Sequence, residues 1–273
     1  MTPADAAYMH TNVNVMSNDR LPCTVICNER DVYYDVGVRL KGSERGRPKD
    51  IRVGFNLPFS PDRKFLGSHE AIAVDRSGAG DSTDRRSREI LAKHAINHAG
   101  GIPGIYNDVI RIIAPISTHS GSALVQKSRF NDEWLANKWP DGSNGRMFEY
   151  ELIYYPTTTT GGPEGLKLPD PDQVAGVSVQ SLGADKELYR WHYLIKNNRS
   201  EDDYSGLIAM VSALGQGGAT FHTQTQALLD VDQWLRAFAI QSLFGIGDSF
   251  ATGGQHNAYF FVRPTDGKGM YFP

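Results

Sequence analysis

Two cysteines in 273 residues are too few for a disulfide framework. Cys23 and Cys27 share the strand-like stretch LPCTVICN, which sets their Cα atoms roughly 13 Å apart at strand rise, beyond disulfide reach. A lone C-x3-C pair is also a poor zinc site, so two half-buried thiols are expected. The chain has no apolar run near the ~20 residues that a membrane helix needs, which predicts no membrane span. No basic stretch followed by an apolar stretch marks a secretory leader at the N-terminus. Neither charge sign dominates: 28 Lys and Arg face 31 Asp and Glu, a formal net charge of −3. That balance argues against a general nucleic-acid binder, whose affinity rests on neutralising phosphates. Several catalytic signatures are missing too: no G-x-G-x-x-G, no Walker A loop, no H-E-x-x-H and no G-x-S-x-G. What remains is 40% hydrophobic and 22% charged, ordinary for a globular chain long enough to bury about three quarters of its unfolded surface.

The first 60 residues read as β structure. Val13 and Val15 alternate, LPCTVIC is β-rich, and the turn at Asn28 to Asp31 follows. Val36, Val38 and Leu40 then alternate with Gly37, Arg39 and Lys41, and Ile51, Val53 and Phe55 repeat the period. After the small-residue loop RSGAGDST, a helix is expected from Thr83 or Asp84, with Ile90, Leu91, Ala95 and Ile96 on one face and Gly100 at its end. Strands are expected at 107–114, 121–127 and 146–154, with a short helix from Asp132 to Trp139. Residues 155–184, rich in Pro, Thr and Gly, read as a protruding surface insertion. Helices are expected near 186–197, 201–214 and 230–245. HNAYFFVRP and GMYFP flank TDGKG as the strands of a hairpin, and the second stops at Pro273, which reads as a chain cut inside its domain.

Three constellations carry possible chemistry. His94 and His98 lie four apart on the expected helix, a spacing that can bring two imidazoles to one metal. No third ligand is identifiable and both border the apolar face, so half-buried helix histidines are the plainer reading. In VGVRLKGSERGRPK, Lys41 ends an alternating strand and a glycine-containing basic loop follows with Arg45, Arg47 and Lys49. A fixed cation beside such a loop suits a polyphosphate, although a solvated basic turn has the same composition. In FGIGDSFATGGQHNAYFF a helix ends in glycines, Asp248 follows, and Asn257 opens a strand. Protein kinases use a carboxylate and a carboxamide so disposed as catalytic-loop base and Mg²⁺ ligand; a capping Asp and a loop Asn are the bland counterpart.

Taken together, these segments resemble the CotH family (spore coat protein H), atypical protein kinases. The resemblance runs through VGVRLKGSERGRPK, the R-x-x-R-E-x-L-A helix from Arg85 to Ala92 leading to GGIPG, DVDQWLRAFAIQSLFGIGDSF, QHNAYFF and GKGMYFP. R-L-K-G and D-x(8)-N-x-Y are its more specific pieces.

The resemblance implies an α+β, kinase-like bilobal domain across 1–273. Its β-rich N-lobe would cover about 1–154, its insertion 155–184 and its helix-rich C-lobe about 185–273. It implies ATP and Mg²⁺ as ligands and a protein Ser or Thr as acceptor. Carried over by position, Lys41 contacts the phosphates, with Arg39 and Arg45 as neighbouring cations, and Glu89 is the acidic partner that orients Lys41. Asp248 is the catalytic-loop carboxylate, and Asn257 is the metal ligand. The family setting suggests a spore coat, a cell envelope or secretion. Two departures stand out. The W-D-x-D motif, whose aspartate binds Mg²⁺ in the family, is not among the 273 residues, so the chain as given is expected to be inactive in phosphoryl transfer. GSALV after residue 120 also lacks an expected aromatic. Competing readings are a non-catalytic coat or surface module on the same fold, and a glycan-binding module using its Tyr- and Trp-bearing loops.

Overall fold

The computed structural model describes residues 1–11, 17–41, 54–75, 83–127, 129–150, 153–160, 166–175, 179–190, 192–247, 249–250 and 258–273. The architecture is α+β, and the chain divides into two compact units. The first comprises Met1–Leu91, Ile105–Ser128 and Tyr154–Gln173; the second comprises Ala92–Gly104, Arg129–Ile153 and Val174–Pro273. Among the described residues no helix is long and apolar enough to cross a membrane.

The first unit is built on a six-stranded sheet. Its strands are β1 (Leu21–Cys27), β2 (Asp31–Leu40), β3 (Phe55–Pro58), β4 (Ala71–Asp75), β5 (Asn107–Ile112) and β6 (Gly121–Gln126). They lie in the order β1-β2-β3-β4-β6-β5, every neighbouring pair antiparallel. The alternation in β2 is what the sequence pattern requires of a strand with one buried face: Val36, Val38 and Leu40 are buried. Val36 packs with Tyr33, Phe59, Phe65 and Val74, while Val38, Leu40 and Phe55 close around Met9. Met9 belongs to α1 (Pro3–Met9), a helix the sequence analysis did not anticipate. Its start is nevertheless a capping box, with Thr2 and Asp5 exchanging hydrogen bonds.

The second unit holds a four-stranded sheet in the order β10-β7-β11-β12, formed by β7 (Arg146–Tyr150), β10 (Tyr193–Ile195), β11 (Ala258–Val262) and β12 (Gly269–Phe272). Its helices include α3 (Asp132–Lys138), α4 (Lys186–Arg190), α5 (Ser205–Leu214), α6 (Gly218–Leu228) and α7 (Val231–Phe244). Helix α2 (Thr83–His98) begins in the first unit and ends in the second. The core is aromatic: Trp234 of α7 stacks on Phe260 and tilts against Tyr271. Buried Gln233 presents its amide to β12 as another strand would. It donates to the Tyr271 carbonyl and accepts from the Tyr271 N–H at 2.9 Å. The hairpin β11–β12 forms as expected, with Gly267 at positive φ in its turn.

Three expectations are met differently. The stretch 129–153 belongs to the second unit, because β7 pairs with β10 and β11. The helix expected over 186–197 stops at Arg190, and Tyr193–Ile195 becomes β10, where Tyr193 is buried among aromatics. The segment 155–184, expected as a surface insertion, has secondary structure of its own. It carries β8 (Ile153–Thr160) and β9 (Leu166–Ala175), which form a two-stranded sheet. The run of threonines favours strand, and a sheet with two edges tolerates the prolines. Its tail also packs, since Val179 and Leu182 lie against the second unit's core.

Candidate functional site

Lys41 continues β2 by one residue. Its N–H donates to the Gly54 carbonyl at 2.7 Å, one row beyond the pairing of Leu40 with Phe55 and of Phe55 with Val74. Lys41, Gly54 and Asp75 therefore occupy one row across three strands, and directly opposed residues share a face. The middle residue has no side chain, so the long lysine passes over it. The Lys41 Nζ donates to Asp75 Oδ2 at 2.8 Å, with the two side chains 27% and 29% exposed. Gly54 is also required sterically: a Cβ there would lie 2.1 Å from the Val74 carbonyl oxygen.

Arg39, two residues earlier on β2, donates from Nη1 to Asn18 Oδ1 at 3.0 Å and to the Leu40 carbonyl at 3.3 Å. Burial, and secondarily the nearby Arg20 charge, lower its pKa. Both partners are neutral acceptors, so this guanidinium keeps its formal charge available to an anion.

Glu89 lies on α2 and accepts from Asn107 Nδ2 at 2.7 Å, a contact that ties α2 to β5. The carboxylate on Lys41 is thus Asp75, and the sequence analysis assigned that role to Glu89. Asp75 was missed because its proximity depends on strand pairing. The usable signal was a strand, AIAVD, ending in a carboxylate where a glycine stands opposite on the neighbouring strand.

Arg45, Asp248 and Asn257 lie outside the described residues, as do Val13, Val15, Ile51 and Val53. Helix α7 is closed by Gly245 at φ 62°, the left-handed conformation that glycine adopts without strain. Ser249 is buried and Phe250 stacks on Phe238 with ring centroids 5.6 Å apart, so Phe250 is anchored in the aromatic core. On the far side of Asn257, Tyr259 of β11 donates to Glu149 Oε1 at 2.8 Å. Glu149 is also paired with Lys196.

The remaining sequence candidates are also placed. Cys23 and Cys27 are free and half-buried on β1, and burial pushes the Cys23 thiol up. His94 and His98 are both exposed, whereas the sequence analysis favoured half-burial. Their rings stack at 4.0 Å. Among the described residues no group of three His, Cys, Asp or Glu could hold a metal ion. No protein-family model matches the chain, and no curated protein matches it.

Proposed function

We propose that the chain is a CotH-type, kinase-like domain of bilobal plan, with a nucleotide site built around Lys41 and a protein Ser or Thr hydroxyl as acceptor. The observation that carries the reading is the row Lys41–Gly54–Asp75. A lysine whose backbone is fixed by a sheet and whose ammonium is fixed by a carboxylate, at the threshold of the basic loop GSERGRPK, is suited to phosphate oxygens. Arg39 adds charge two residues away, and Arg45 adds it from the loop. The order of helix α7, the polar segment with Asp248 and Asn257, and the β11–β12 hairpin supports the same reading.

The residues read from the sequence would serve a magnesium nucleotide, short of the W-D-x-D aspartate that the family pattern adds as a metal ligand. Lys41 would hold phosphate, Asn257 would hold the metal, and Asp248 would orient the acceptor hydroxyl and take its proton. When bound, Mg²⁺·ATP supplies the phosphoryl group. The protein's part is positioning and charge neutralisation.

Isothermal titration of the chain with Mg²⁺·ATP tests the proposal. Saturable, Mg²⁺-dependent binding that Lys41→Ala weakens by about tenfold or more is expected for a charge-assisted phosphate contact. Nucleotide affinity that is absent, or indifferent to Lys41, would turn the reading toward a non-catalytic coat or surface module. Glycan binding untouched by Lys41→Ala would point to the carbohydrate module instead.

A further inference from the structure

We propose that His94 and His98 form a two-imidazole site for a divalent transition-metal ion of the Zn²⁺, Ni²⁺ or Cu²⁺ class, on the solvent face of the last turns of α2. Imidazole nitrogen suits these ions, and four observations bear on the pair. Both residues are exposed, so an ion can reach them without displacing core packing. Helical geometry brings positions four apart onto one face, and the rings lie nearly parallel, with centroids 4.0 Å apart and planes 28° apart. Two zinc–nitrogen bonds of about 2.0–2.1 Å at a tetrahedral angle hold their donor atoms roughly 3.3 Å apart. Rotation of the two side chains must turn the stacked rings so that their nitrogens converge at that spacing.

The third observation concerns the tautomer. His98 Nδ1 lies 2.7 Å from the His94 carbonyl oxygen. A carbonyl can only accept, so Nδ1 carries the proton and the neutral ring offers its lone pair at Nε2. A ring nitrogen that donates to a backbone carbonyl while the other faces a metal is the usual arrangement of ligating histidines. The fourth observation is position. His98 is the last residue of α2, and Gly100 and Gly101 follow with φ of 76° and 71°. The unsatisfied carbonyls at a helix C-terminus carry partial negative charge, which favours a cation there.

Two protein ligands leave the remaining coordination positions to water. The site is therefore exchangeable, unlike a closed four-ligand structural centre. Its consequence is a staple between successive turns that opposes fraying of the end of α2.

Titration of the full chain, without a histidine tag, with ZnCl₂ and separately with NiCl₂ at pH 7.5 tests this. One saturable ion per chain is expected. His94→Gln and His98→Gln should each weaken binding about tenfold or more, while exposed His222→Gln leaves it unchanged. Backbone hydrogen exchange in the last turn of α2 should slow on adding Zn²⁺. Three results would overturn the proposal: wild-type affinity in both variants, weakening in only one of them, or no saturable binding below about 1 mM, where ordinary surface association lies.

Discussion

Lys41 reaches Asp75 because Gly54 lies between them without a side chain. Two consequences can be measured. Gly54→Ala places a methyl group 2.1 Å from the Val74 carbonyl, and a sheet backbone has little room to yield. We expect a loss of about 3 kcal/mol, the upper range for overpacking, read from urea unfolding. Glu89→Gln should by contrast leave Mg²⁺·ATP affinity within about twofold of wild type, less than 0.5 kcal/mol, because Glu89 engages Asn107 while Asp75 engages Lys41. A large loss on Glu89→Gln, measured by the same titration, would restore the helix as the source of the orienting carboxylate. The lysine was legible in the sequence because alternation marks a strand end and the basic loop follows it. The partner was not, because a cross-strand neighbour is set by register, which no local pattern reveals.

At the scale of elements, α1 and the tail of 155–184 show how short segments are held. His10, just after α1, stacks on buried His119 with ring centroids 4.1 Å apart and planes 12° apart. Burial lowers the His10 pKa. A histidine whose folded pKa lies below its unfolded value near 6.5 favours folding while neutral. Stability should therefore fall as pH drops below about 6.5, and go on falling until the folded-state pKa is passed. Urea midpoints measured between pH 7.5 and 5 should decline in the wild type and decline less in His10→Gln. Equal slopes would show that the stack does not couple to protonation.

Tyr189 holds the other segment. Its hydroxyl accepts from the Leu182 N–H at 2.8 Å and donates to the Gly183 carbonyl at 2.9 Å. Tyr189→Phe strands both groups, and a cost of about 1–2 kcal/mol is expected from denaturant unfolding. A neutral substitution would mean that this tail is not pinned. Pro, Thr and Gly dominate 155–184, which is why the segment reads as a surface insertion in the sequence. Composition cannot show that Val179 and Leu182, two apolar residues in a polar stretch, dock onto a distant core. Periodicity did locate α2, α3, α5, α7 and the β11–β12 hairpin, where apolar spacing or turn residues are strong. It missed α6, whose sequence GATFHTQTQAL has little apolar stripe.

For the whole molecule, the α+β class expected from the resemblance agrees with the elements present, and strand patterns marked β1, β2, β5 and β6 in the sequence, whereas β4 (Ala71–Asp75) left no reading there. The division between units was harder to read. Arg146–Tyr150 has the composition of any buried strand, and only pairing with β10 and β11 assigns it to the second unit. Asp248 and Asn257 are a spaced carboxylate and carboxamide in the sequence, and both lie outside the described residues. The central claim is that the sheet-fixed lysine serves a nucleotide. It is tested most directly by calorimetric titration of Mg²⁺·ATP into the wild-type chain and into Lys41→Ala. The account predicts saturable, Mg²⁺-dependent binding that Lys41→Ala weakens about tenfold or more. Equal affinity in the two proteins, or none in either, would contradict it.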